Sequence, residues 1–322
     1  MRALIVQGYG KSISYKEGSI VVRERGRTIA RYSPSEISQI IVIGNVAITS
    51  KAIRALSAYA CDVLFISWRG ELYARVSFPE MRTVATRRQQ YMAYEDGRGT
   101  YIAKEILRSK LRNQYYYLMT LQKLSSGEAA REVEQRRAEV KGSLEKIDAV
   151  DGKLEEVRGE LLGIEGEAAR AYFSAISKYL PEGLFEGREG RGAQDPVNSM
   201  LNYGYAILMG AIWRAVHMAG LDPYAGYLHA DRPGKPSLVL DLMEMYRTQA
   251  VDRVVVSTVK GGVPKGDWRQ EIAAKVASRL SEKVPYSGMR VEMSQSAVMA
   301  ARNLASFLRG ERSSFEGFYL SW

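Results

Sequence analysis

Apolar positions divide the chain into two regions of different period. In the first, short apolar runs alternate with turn residues, which predicts strands. Ile20 to Val22 and Ile29 to Tyr32 flank Glu24 to Arg27, with Gly26 supplying the turn, so the segment reads as a hairpin. Ile40 to Ile43 is a continuous apolar run stopped by Gly44 and Asn45, the pattern of a buried strand. Ser50 to Ala60 predicts a helix capped by Ser50. Asp62 to Ile66 and Leu72 to Val76, around a turn at Gly70, complete a small sheet domain with one helix. Pro79 closes this region. From Thr86 onward glycine and proline thin out and helix formers dominate.

The expected architecture is therefore α+β. A small N-terminal β-sheet domain (1–85) precedes a larger all-α C-terminal domain (86–322). The longest periodic stretch runs from Val133 to Ala168, with apolar residues spaced alternately three and four apart on an amphipathic stripe. Gly142, Gly152 and Gly159 predict a bend or break within it. Pro181 to Gln194 reads as a mobile surface loop, and Pro196 to Ala219 as a buried helix too short in its apolar part to span a bilayer. Another helix starts near Ser237. A β-like run (Val254 to Val256), a helix from Gln270 to about Val284, a last helix near Ser294 to Leu308 and an aromatic tail follow.

Charge changes the picture. Lysines and arginines number 46 and aspartates and glutamates 36, a net charge of +10. Such an excess favours a polyanionic partner, nucleic acid first and an anionic membrane surface second. The single cysteine, Cys61, excludes an internal disulfide and fits a reducing compartment.

Two histidines are present, His217 and His229. His217 sits in apolar helical context and reads as a core residue. His229 precedes a loop holding Arg232 and Lys235, and Asp241 and Glu244 follow on one helix face, about one turn apart. An imidazole with carboxylates suits Mn²⁺ or Mg²⁺. On spacing alone the acids serve equally well as partners of Arg247 or Arg253. Glu165 lies among the small residues of Leu162 to Arg170, which leave room for a phosphate or, read more simply, for close helix packing. Cations beside a metal-binding acidic cluster fit a phosphodiester substrate. The P-loop spacing, the nucleophile elbow and a zinc finger are all excluded.

Three blocks carry a resemblance: GIEGEAARAYF (Gly163 to Phe173), DPVNSMLNYGYAIL (Asp195 to Leu208) and LHADRPGKPSLVLDLMEMYR (Leu228 to Arg247). With TRRQQYMAY and AKEILRSKLRNQ (Thr86 to Gln114), the chain resembles the CRISPR-associated spacer-acquisition integrase family, the universal first CRISPR-associated protein. The resemblance implies a β-rich dimerisation domain and an α-helical catalytic domain. It implies metal ligands at Glu165, His229 and Glu244, with Asp241 as the neighbouring catalytic acid, and Mn²⁺ or Mg²⁺ as cofactor. Arg232, Lys235, Arg247, Asn198 and Arg191 would meet DNA. The implied activity is insertion of short DNA fragments into a CRISPR array by 3′-hydroxyl attack on a phosphodiester, with hydrolytic nicking as related chemistry. Implied partners are branched or duplex DNA (CRISPR repeat and prespacer), a second copy forming a homodimer, and a small ferredoxin-like CRISPR-associated partner, the second universal CRISPR-associated protein. No membrane association is expected, and the location is cytoplasmic. The competing expectation is a non-catalytic architectural DNA binder that kept the shape and lost the chemistry; the intact acidic set argues against it.

Overall fold

The computed structural model describes residues 2–78, 84–190 and 195–321. The N-terminal part holds β1 (Arg2–Gln7), β2 (Lys11–Lys16), β3 (Ser19–Glu24), β4 (Arg27–Tyr32), β5 (Ile37–Ile43), β6 (Val46–Ile48), helix α1 (Ser50–Ser57), β7 (Asp62–Ile66) and β8 (Leu72–Val76). They form two four-stranded sheets, ordered β1-β5-β7-β8 and β4-β3-β2-β6. In the first, β1 and β7 run parallel to β5 and β8 closes antiparallel. The expected hairpin is present as β3 and β4. The cap of α1 lies one residue earlier than expected: Thr49 Oγ1 accepts from Ala52 N at 3.2 Å.

The apolar run of β5 is buried on both faces. Ile40 and Val42 pack with Ile13, Ile20 and Leu56 between the two sheets. Ile41 and Ile43, with Leu64 and Ile66 of β7, face the helices and join their core. Each such buried aliphatic side chain is worth roughly 1.5–3 kcal/mol. The first sheet is thus the middle layer of the molecule.

The helical part contains α2 (Val84–Glu95), α3 (Gly97–Leu124), α4 (Gly127–Ala149), α5 (Leu154–Tyr179), α6 (Pro196–Ala219), α7 (Ser237–Arg247), α8 (Arg253–Val259), α9 (Trp268–Ser281) and α10 (Met293–Leu308). The long periodic stretch resolves into α4 and α5, with the break at Gly152. Helix α6 spans the expected residues, with Asp195 accepting from Asn198 N at its start and Gly220 left-handed at its end. His217 is a core residue whose Nε2 lies 3.0 Å from Phe78 O.

Three expectations are corrected. Val254 to Val256 is helical, in α8: β-branched residues read locally as strand, but all four valines of α8 pack into the helical core. The helix beginning near Gln270 ends at Ser281, and Lys283–Tyr286 (β9) pairs with Met289–Glu292 (β10). The described part of the 181–194 loop is anchored: Phe185 is buried, and its carbonyl accepts from Ser177 Oγ at 2.7 Å. Phe315 and Phe318 of the aromatic tail are buried, and the Phe318 ring is stacked on Tyr246 at 4.3 Å. Among the described residues, no helix is long and apolar enough to cross a membrane.

Candidate active site

Helix α3 crosses the centre of the helical part with its inward face at helical spacing: Ile106, Leu107, Lys110, Leu111, Asn113 and Gln114 are buried. Lys110 stands out, because a buried ammonium requires counter-charges. Two helices supply them. Lys110 Nζ lies 2.5 Å from Glu165 Oε1 on α5 and 2.7 Å from Glu244 Oε2 on α7. Glu244 Oε1 accepts from Arg247 Nε at 2.8 Å. Burial pushes the Lys110 ammonium towards neutrality, but the carboxylates of Glu244 and Glu165 outweigh it and raise its pKa. Burial likewise opposes ionisation of Glu244; Arg247, Lys110 and His229 overcome it and hold the carboxyl below its ordinary range.

His229 comes from the segment between α6 and α7, and Asp241 fixes it. One Asp241 oxygen, Oδ2, accepts the backbone N–H of Tyr227 at 2.6 Å and of Leu228 at 3.0 Å. The other, Oδ1, takes His229 N at 2.9 Å and lies 2.7 Å from His229 Nδ1. Gln90 of α2 ties the same segment from the far side through the carbonyls of Asp222 and Ala225. Desolvation disfavours the imidazolium, but Asp241, Glu244 and Glu165 raise the His229 pKa on balance. The ring therefore senses both glutamates. With Nδ1 engaged by Asp241, Nε2 is the nitrogen left for a ligand. In Asp241→Asn the new amide nitrogen on the Oδ2 side would face two N–H donors. We expect a loss of about 2 kcal/mol or more, read from the urea midpoint.

A cavity of about 220 Å³ opens here, lined among others by Lys110, Glu165, Glu244, Arg247, Arg188 and Asp252. Both arginines lie over the Tyr205 ring, at 5.4 Å for Arg188 and 4.5 Å for Arg247. Asp252 accepts from Tyr205 Oη at 2.5 Å and Tyr172 Oη at 2.8 Å. It closes a π-helical turn (Thr248–Asp252) that follows α7.

Glu165 and Glu244 are thus brought together around Lys110, and Arg247 joins them, while His229 does not line this cavity and feels the two glutamates through their charge. Glu244 lines the cavity and pairs with Arg247. Asp241 is wholly buried and saturated by hydrogen bonds, so its place is behind His229. Arg232 is exposed and Lys235 half-buried on the loop that follows His229. Asn198 is 1% exposed. Its amide binds Gly187 O, Asp195 Oδ2, Glu189 N and Arg188 Nη1, so it organises the arginine-bearing loop and has no free edge for DNA. Arg191 lies outside the described residues. Lys110, Arg188, Tyr205 and Asp252 were not anticipated; for Lys110 the signal was a lysine inside an apolar helical stripe. Among the described residues, no three acidic, histidine or cysteine side chains stand in ligand geometry around one point. The point shared by the two glutamates is taken by Lys110.

Residues 4–283 match the family model described as CRISPR associated protein Cas1. The chain belongs to the Cas1 family. Among its Cas1 relatives, a CRISPR-associated endonuclease Cas1 of Archaeoglobus fulgidus is 40% identical, covering 99% of both chains. One of Pyrobaculum aerophilum is 38% identical over 90% of this chain and 91% of its own length. Among solved structures, a casposase bound to integration product superposes with a TM-score of 0.82 at 26% identity, covering 98% of this chain and 93% of that one. A Cas1 protein from Thermotoga maritima shares the fold over the full length of both chains, with a TM-score of 0.76 at 20% identity.

Proposed function

We propose that this chain is a CRISPR spacer-integrating endonuclease, joining short DNA fragments to a CRISPR array by 3′-hydroxyl attack on a phosphodiester. Membership of the Cas1 family supports this reading. So does likeness to an enzyme caught with integration product. The observation within the site that carries it is the convergence of Glu165 and Glu244 on a single positive point. Two carboxylates that meet around one ammonium can meet around a divalent cation, and an imidazole with a free Nε2 completes a mixed oxygen and nitrogen donor set.

Glu165, Glu244 and His229 would hold Mn²⁺ or Mg²⁺. When bound, such an ion polarises the scissile phosphate and lowers the cost of charge on the attacking and leaving oxygens. The chain's own groups do the rest. Asp241 holds Nδ1 of the His229 ring and leaves Nε2 for a ligand. Arg247, buttressed by Tyr205, keeps Glu244 ionised and places a guanidinium on the cavity wall for a phosphate oxygen. Arg188, held by Asn198 and Asn202, adds a second. Lys110 balances the charge of the two acids when no ion is bound. Arg232 and Lys235 track the duplex beyond the cavity without reading bases. Residues 86–322 form the catalytic domain and residues 1–85 the dimerisation domain. The working assembly is a homodimer with a small ferredoxin-like CRISPR-associated partner on repeat and prespacer DNA.

The test uses a branched DNA that mimics a half-integrated product, incubated with the purified chain. With Mn²⁺ or Mg²⁺ the branch is expected to be resolved and a flap nicked. With a chelator, resolution stops and DNA binding persists. Retention of DNA with no cutting or joining in either metal would favour the architectural binder.

A further inference from the structure

A second cavity, of about 340 Å³, lies on the opposite side of α6, between the start of β5 and helices α6, α9 and α10. That volume falls in the range of small-molecule sites, about 300–1,000 Å³. Nothing in the chemistry above uses it.

Its walls carry two arginines and a buried amide. Gln39 of β5 is 5% exposed, and its Nε2 has no hydrogen-bond partner. Gly210 of α6 makes room for it: a Cβ there would stand 3.2 Å from Nε2. Arg214 of α6 donates from Nε to Ala60 O at 3.2 Å, and among the described residues no carboxylate pairs with it. Burial lowers its pKa, so its charge is only partly solvated. Arg302 of α10 stands at the mouth, exposed and likewise without a carboxylate partner among the described residues. Ser294 and Gln295, in the first turn of α10, also line the cavity, and no side chain caps that helix. Met293 N donates to Glu282 O at 2.9 Å, and the N–H groups after it and the positive end of the helix dipole face the same space. Glu292 is the one acidic side chain on the described wall. Met218, Val298 and Met299 make the remainder apolar.

We infer that this cavity binds a phosphomonoester of nucleoside-monophosphate size, its phosphate held by Arg214, Arg302 and the start of α10, and its base or sugar against the methionines. A carboxylate would use fewer of these donors, and an uncharged ligand would leave the two guanidiniums without a counter-charge.

Calorimetric titration of the full chain with adenosine monophosphate tests this. One site per chain is expected, with inorganic phosphate competing for it. Arg302→Glu, at an exposed position, should weaken binding about tenfold or more. Ala277→Phe, which projects into the cavity, should do the same, while Arg188→Ala in the catalytic cavity should leave affinity unchanged. Absence of binding overturns the inference. So does binding that survives Arg302→Glu but is lost in Arg188→Ala, since the phosphate would then sit among the catalytic residues. Failure of inorganic phosphate to compete also overturns it.

Discussion

Glu165→Ala is expected to reduce Mn²⁺-dependent resolution of branched DNA by about 10³-fold or more, a loss of roughly 4 kcal/mol of transition-state stabilisation. Three features make Glu165 the cleanest of the acids to remove. Its side chain is only partly buried, and its ion-pair partner is Lys110. That ammonium keeps Glu244 after the change, so no buried charge is stranded. Residues Gly163 and Gly166 on the same helix leave space around it, and alanine suits the helix interior. The unfolding midpoint and the affinity for duplex DNA, read by fluorescence anisotropy, should therefore change little. Full resolving activity in this variant, with its fold intact, would end the assignment of the three ligands.

Lys110→Met is the second large effect, and it separates structure from chemistry. The lysine is buried, and the two glutamates share it. Removing the ammonium leaves Glu165 and Glu244 facing one another with Arg247 and His229 left to compensate. Breaking a buried ion pair from one side costs about 3–5 kcal/mol, so the metal-free variant should melt well below the parent chain. Added Mn²⁺ should restore most of that loss, because the ion then enters a site with no resident cation to displace. The parent chain should gain less from the same Mn²⁺. Thermal unfolding with and without Mn²⁺ reads the difference directly. Equal stabilisation of the two chains would mean that the ion and Lys110 do not share a place.

Period and composition made most of the elements legible. The apolar run of β5, the span of α6 between Pro196 and Ala219, and the break near Gly152 all follow from local rules. Local rules also account for the misreadings. Three successive valines in α8 favour a strand until the helical core that surrounds them is known. The hairpin of β9 and β10 was hidden by helix-like flanks, although Ser287 and Gly288, with φ of +50° and +77°, form the two-residue turn that such a pair signals. The site was legible in its residue types and illegible in its arrangement. Nothing in the spacing of Asp241 and Glu244 says that one braces a histidine from behind while the other faces the cavity; that depends on how the segment from Tyr227 to His229 folds back on α7. The family resemblance points Asn198 at DNA, whereas in the structure it is buried and holds the loop that carries Arg188.

The two-faced strand β5 has a thermodynamic consequence. Its alternate side chains are committed to two different cores, so a slip of one residue would empty both at once. Neither core can melt without exposing the flank of the other. The sheet part and the helical part are therefore not separate cooperative units. Calorimetry should record a single heat-absorption peak, with a van't Hoff enthalpy that matches the calorimetric one.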